Sequence, residues 1–218
     1  MMIKWLGHSA FLITASDGTK IITDPYTAGS YDGAVGYQPI KEDAQIVTVS
    51  HEHPDHNDTK QIPGKPTIVK EAGEHSIKGI TISGFSCFHD ESQGRERGAN
   101  TVFTFEIDGV KICHLGDLGE KLSAGSCKNL GPVDVLLIPV GGHFTIDAKT
   151  AGEVVTILNP RVVIPMHYKT GVLGFPVAPV DDFLKNKANV KRLNSTEVEL
   201  SKATLPKTQE IWVLNHAL

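Results

Sequence analysis

Residues 46–56 read Ile46-Val47-Thr48-Val49-Ser50-His51-Glu52-His53-Pro54-Asp55-His56. The opening β-branched run forms a compact buried strand, and three imidazoles and an aspartate follow it at once. His51 and His53 are two apart, so in extended chain both rings leave the same face. Pro54 breaks the strand, and Asp55 and His56 on the following turn point another way. One segment can therefore serve two metal centres. Neutral imidazole and carboxylate suit zinc, iron or manganese. A lone histidine here would read as a loop residue facing water; the H-x-H-x-D-H spacing does not.

The flanking sequence supplies more strands. Residues 3–6, 10–14 and 20–23 are apolar or β-branched runs, with a Ser16-Asp17-Gly18 turn between the last two. Residues 25–36, rich in Gly and Tyr, read as a loop. Residues 67–70 and 77–88 read as further strands, 89–100 as a long charged loop, and 101–117 as a hairpin about Asp108-Gly109. The apolar run 133–140 fits a fully buried strand. In 147–158, Ala148, Ala151, Val154, Val155 and Leu158 recur at helical spacing behind Asp147, a natural N-cap. A strand at 161–165, a helix at 180–187 and strands at 197–200 and 210–214 complete the chain. Strands in runs with helices inserted singly predict two packed sheets flanked by helices, in one domain spanning residues 1–218.

Composition narrows the function classes. The 218 residues are 40% hydrophobic and 21% charged, which excludes a disordered or collagen-like chain. No apolar run is long enough to span a bilayer, and the stretch 10–15 is too short for a signal peptide. A cytoplasmic address is expected, with no membrane partner. The net charge is −4, without a polybasic tail, so no nucleic-acid partner is expected. Lys185-Asn186-Lys187 and Lys191-Arg192 read as a solvated helix end. Cys87, Cys113 and Cys127 lack a C-x-x-C spacing, so metal ligands should be nitrogen and oxygen. The ten histidines are the resource.

Asp24 in IITDP, His89 in CFHD, Asp117 in HLGDLG and His167 in IPMHY extend the motif along the chain. With them the sequence resembles the metallo-β-lactamase-fold hydrolases. The opening WLGHSAFLI and the loop HDESQGRERGANT resemble more narrowly the ascorbate-6-phosphate-lactonase-like branch. The resemblance implies an α/β (α+β) fold, a four-layer αββα sandwich of two mixed β-sheets flanked by helices, with metals at one edge. Carried over position by position, it implies that His51, His53 and His89 bind a first metal. Asp55, His56 and His167 would bind a second, Asp117 would bridge, and Asp24 would orient the ligand loop from behind. The implied cofactors are two divalent ions, zinc foremost, with manganese or iron accepted by the same donors. Seven ligands leave positions open for solvent, and metals about 3.5–4 Å apart can share a hydroxide.

Other polar residues frame that set. His8 and His143 lie in Gly-flanked loops after strands: His8 is placed behind the ligands, His143 as a proton carrier or substrate contact. Arg95, Arg97 and Asn100 could hold an anionic substrate group, although ion pairs to Glu91 and Glu96 would explain the same charges. His114 reads as a strand residue satisfied in the core or behind the ligands, His75 and His216 as surface residues. The leading reading is a binuclear hydrolase whose metal-bound hydroxide cleaves a small ester, lactone or phosphodiester, with Asp55, Asp117 and His143 catalytic. The partner is then a small molecule with an anionic handle, and a homo-oligomer is compatible. A mono-iron oxidoreductase like the sulfur dioxygenases of this fold, or a non-catalytic metal-binding module, are the alternatives. Within the family, the commonest zinc β-lactamases use cysteine where Asp117 stands and lack a counterpart of His56. The flavodiiron branch has glutamate at the position of His53. The RNA-processing branch shares the motif but adds basic gripping features absent here.

Overall fold

The computed structural model describes residues 1–218, the side chain of Ala124 excepted. Six strands, β1 (Met2–Gly7), β2 (Ala10–Thr14), β3 (Lys20–Thr23), β4 (Ile46–Thr48), β5 (Thr67–Val69) and β13 (Glu197–Glu199), form one sheet. Its order is β13-β1-β2-β3-β4-β5. The larger sheet runs, edge to edge, β12 (Val190–Arg192), β14 (Glu210–Val213), β11 (Val162–Met166), β10 (Val135–Pro139), β9 (Val110–His114), β8 (Ala99–Ile107), β7 (Ile80–Phe88) and β6 (Gly73–Ile77). Both sheets are mixed: β3, β4 and β5 are parallel, as are β9, β10, β11 and β14, while the hairpins are antiparallel.

Strand alternation sorts the smaller sheet's side chains into two layers. Phe11, Ile13, Ile21 and Ile46 join the core between the sheets, with Ile82, Phe103 and Phe105 of the larger sheet. Leu12, Ile22 and Val47 enter a second cluster with Tyr26, Tyr37, Ile40, Ile62 and Phe175, which come from loops. The helices α1 (Ala124–Leu130), α2 (Ala148–Leu158) and α3 (Val180–Leu184) cluster together, and α2 packs on β10. It buries Ala151, Val154, Val155 and Leu158, and Asp147 caps it by accepting from the Thr150 N–H at 2.8 Å. The α/β sandwich of two mixed sheets thus carries its described α-helices over the larger sheet. Loops and a 3-10 turn, Thr59–Gln61, cover the smaller one.

Two elements lie outside the sequence expectation, α1 and the edge strand β12. The predicted helix 180–187 ends at Leu184 with exposed Lys185 as its C-cap, so the first part of the basic stretch is the solvated helix end expected, while Lys191 and Arg192 lie beyond it on β12. Lys191 and Arg192 pair along β14 and reach Glu210 at 2.8 Å and Asp181 at 2.6 Å. The strand region expected over 77–88 begins earlier, at Gly73, and comprises β6 and β7. Among the described residues, no helix is long and apolar enough to cross a membrane.

Pairing directions place the ends of β1, β3, β4, β7, β9 and β11 along one edge of the sandwich. In open mixed sheets the crevice outside such strand ends is where ligands bind.

Candidate metal centre

Each of those strands delivers one or more polar side chains as it ends. β1 leads to His8, β3 to Asp24, β4 to His51 through His56, β7 to His89, β9 to Asp117 and β11 to His167. His8, Asp24 and His167 have φ of 51°, 39° and 52°. Left-handed backbone is uncommon outside glycine, and its recurrence here marks turns held in place by their surroundings.

These residues converge. The ligand-type atoms of His51, His53 and His89 lie within 4.8 Å of one another, as do those of His8, Asp55, His56 and His167. Asp117 stands between the two groups, its Oδ2 3.4 Å from His89 Nε2 and 3.2 Å from both His56 Nε2 and His167 Nε2. Nearly every member is buried, with His53 half-buried at the mouth. Among the described residues, His51 Nε2, His56 Nε2, His89 Nδ1, both ring nitrogens of His167 and Asp117 Oδ1 are buried without a hydrogen-bond partner. Buried polar atoms are ordinarily paired. Of these orphans, His51 Nε2, His56 Nε2, His167 Nε2 and Asp117 Oδ1 belong to the converging donor groups and fit a cation that supplies the missing partner.

Hydrogen bonds behind the group set its orientation. Asp24 accepts from the Ser50 N–H at 2.7 Å and the Ser50 hydroxyl at 2.6 Å, and lies 2.9 Å from His56 Nδ1. The Ser50 hydroxyl is in turn 2.9 Å from His51 Nδ1. With Nδ1 engaged in both rings, Nε2 is the atom left to bind a metal, the arrangement by which outer carboxylates fix ligating imidazoles. His8 Nε2 lies 2.9 Å from Asp55 Oδ2. Sequence reasoning found Asp24 and His8 but missed Ser50, whose only signal is its place immediately before His51.

The electrostatics follow from burial of opposite charges together. Burial works to raise the Asp117 pKa, but the charges of His167 and His56 override it and hold the carboxyl well below the usual range. Burial likewise opposes charge on His56, yet Asp117 and Asp55 pull its pKa well above that of a free imidazole. His51 is pushed well below the usual value by burial and by the neighbouring His56. Burial, with His167 nearby, lowers His8 to about 4. The negative potential that favours a proton on His56 also favours a divalent cation.

His53, Asp55, His89, Asp117 and His167 floor a cavity of about 230 Å³, walled by Tyr31, Phe144, Phe175 and Arg97. Sequence reasoning missed the three aromatics. The other expected contacts are distributed unevenly. Arg95 is exposed and donates to the Ser92 carbonyl at 2.9 Å, away from the cavity. His143 is exposed and lines a neighbouring recess that shares His89 and Arg97 with the cavity. His114 is buried, with Nε2 2.8 Å from the Ser9 carbonyl oxygen.

Asn100 corrects the expectation of a substrate contact. It is 1% exposed because β8 begins one residue earlier and carries it inward. Its amide donates to the Leu115 carbonyl at 2.9 Å, and its Oδ1 accepts from the Asp117 N–H at 3.0 Å. It therefore holds the backbone of Asp117 rather than a substrate. Close packing fixes His89 in the same way: a Cβ at Gly119 would meet the His89 carbonyl carbon at 2.1 Å. Gly119→Ala is expected to displace His89 and weaken metal binding by roughly 10–100-fold, the range seen when ligand orientation is lost. Metal titration of the chelator-treated variant measures this, and unchanged affinity would contradict it.

The chain is similar to known proteins over most of its length. Residues 2–167 match the family model described as a beta-lactamase superfamily domain. A metal-dependent hydrolase of Thermococcus kodakarensis is 34% identical over 193 residues, covering 77% of this chain and 84% of the relative. A counterpart in Thermococcus onnurineus is 33% identical with the same coverage. A crystal structure from Thermotoga maritima, described as a candidate Zn-dependent hydrolase of the metallo-β-lactamase superfamily, superposes with a TM-score of 0.82 at 38% identity. It covers 98% of this chain and 97% of its own.

Proposed function

The chain belongs to the beta-lactamase superfamily as a metal-dependent hydrolase, and on that premise we propose that it holds two divalent ions and cleaves a small ester, lactone or phosphodiester. The observation that supports this best is the set of orphaned imidazole nitrogens gathered around Asp117, together with its own orphaned Oδ1. His51, His53 and His89 are assigned to one ion, Asp55, His56 and His167 to the other, and Asp117 to both. Zinc is the first choice, since imidazole and carboxylate donors suit it, and manganese or iron fit the same donors. Residues 1–218 act as one domain in this reading.

Bound there, the ions would polarise the scissile centre and make a water-derived nucleophile available near neutral pH. The protein's own residues do the rest. Asp24 holds His56 directly and His51 through Ser50, so both rings keep a single orientation. His8, hydrogen-bonded to Asp55 Oδ2, fixes that carboxylate on the cavity floor. Asn100 and Gly119 fix the backbones of Asp117 and His89. Arg97 receives the substrate's anionic end. His143 is left the role of carrying a proton at the recess beside His89 and Arg97.

Protein stripped with chelator and reloaded separately with zinc, manganese or iron should regain hydrolysis within a panel of lactones, phosphodiesters and thioesters. Oxygen uptake with a single iron and no hydrolysis would overturn the proposal. Imidazole must be neutral to bind a metal, whereas Asp117 and Asp55 favour a proton on His56 in the metal-free protein. Ion binding is therefore expected to release protons and to weaken as pH falls from about 8 to about 6. Calorimetry in buffers of different ionisation enthalpy checks this, and binding without proton release would contradict it.

A further inference from the structure

The walls of the cavity have a chemistry distinct from its floor. Tyr31 and Phe175 meet edge to face with centroids 5.3 Å apart, and Phe144 meets Phe175 edge to face at 5.4 Å, so the three rings adjoin as one aromatic cluster with adjacent planes inclined by 71° and 73°. The Arg97 guanidinium lies over the Phe144 ring, 5.8 Å from its centroid. Arg97, whose Nη1 also lies 3.5 Å from Glu96 Oε2, is the one arginine or lysine among the described residues lining this cavity.

The wall is built to stay in place. The loops bearing Tyr31 and Phe175 are joined by a bridge between Val35 and Leu173. Gly36 N–H donates to the Val172 carbonyl at 3.1 Å, and Gly174 N–H donates to that of Ala34 at 2.6 Å. That approach needs glycine: a Cβ at Gly36 would meet the Val172 oxygen at 2.3 Å, and one at Gly174 would meet Ala34 Cα at 2.9 Å. Arg97 sits on a loop closed around Asp90, whose carboxylate accepts from the N–H groups of Ser92, Gly94, Glu96 and Arg97 at 2.8–3.1 Å. Backbone held this way lowers the ordering cost of binding.

We infer that the cavity selects small substrates with a planar, apolar body ending in an anion, the plane against Tyr31, Phe175 and Phe144 and the anion at Arg97. The scissile bond then lies over Asp117. A cavity of about 230 Å³ is below the roughly 300–1,000 Å³ of sites for drug-sized ligands, which fits the body of an aryl ester or lactone. This inference rests on reading the donor floor as the reacting centre.

The test uses 4-(hydroxymethyl)benzoate, its saturated counterpart trans-4-(hydroxymethyl)cyclohexane-1-carboxylate, and neutral benzyl alcohol. Each is titrated calorimetrically into metal-free and zinc-loaded protein. The benzoate should bind about threefold to tenfold more tightly than the saturated acid, the range aromatic contacts supply. Arg97→Met should remove the advantage of the benzoate over benzyl alcohol, and Phe175→Leu should narrow the gap between planar and saturated acids. Equal binding of the two acids, no effect of Arg97→Met, or no binding in the millimolar range would overturn the inference. Hydrolysis of the corresponding acetate esters, 4-(acetoxymethyl)benzoate and its saturated analogue, is followed on the same zinc-loaded protein. Failure to take up zinc or to hydrolyse either ester counts against the metal-centre reading. Hydrolysis of both esters without preference counts against the wall alone.

Discussion

Asp117→Ala is expected to abolish hydrolysis and to leave the chain unable to retain both ions, while the fold persists. The argument is geometric. The Asp117 carboxylate faces His56, His89 and His167, which belong to both groups of donors. Losing it removes a charge that both ions would share. The loss of activity should therefore exceed the roughly 10–100-fold typical when only a partner behind a ligand is removed. The fold should survive because the tie that anchors this turn, Asp117 N–H to Asn100, belongs to the backbone and is unaffected. Elemental analysis, hydrolysis and circular dichroism on the same preparation check this. Full metal content with full activity would contradict it.

Asp24→Ala should instead show its largest effect on stability. Asp24 is fully buried and serves Ser50 through two hydrogen bonds and His56 through a third. Its removal leaves a buried Ser50 N–H and the His56 Nδ1 unpaired. Breaking one partner of a buried, hydrogen-bonded ionic pair costs about 3–5 kcal/mol, and metal affinity should fall by roughly 10–100-fold as His56 and His51 lose their support. Asp24→Asn should be milder, because asparagine tolerates left-handed backbone and keeps one acceptor. Urea unfolding of metal-free protein measures the stability term. A loss below about 1 kcal/mol would place Asp24 outside the supporting network.

The sequence carries the donor set legibly because ligation restricts residue type. His51, His53, Asp55 and His56 follow a β-branched strand, and His89, Asp117 and His167 each stand at or just beyond the end of another. The positions of β2, β3 and β4 were legible because both faces of these central strands are buried and their runs are apolar. Less was visible where structure depends on distant contacts. Nothing near Tyr31, Phe144 or Phe175 announces that three separate loops bring them together. Asn100 looked available within a charged loop, and only the early start of β8 shows it buried. Helix α1 contains Gly125 and has no long amphipathic period, and β12 is an edge strand with two exposed residues of three.

The central claim is that one chain holds two ions between its two groups of donors. Native mass spectrometry of chelator-treated protein titrated with zinc addresses it directly. The prediction is two zinc ions per chain in the unaltered protein, and one or none in both His56→Ala and Asp117→Ala. No specific uptake, or two ions retained in both variants, would contradict it.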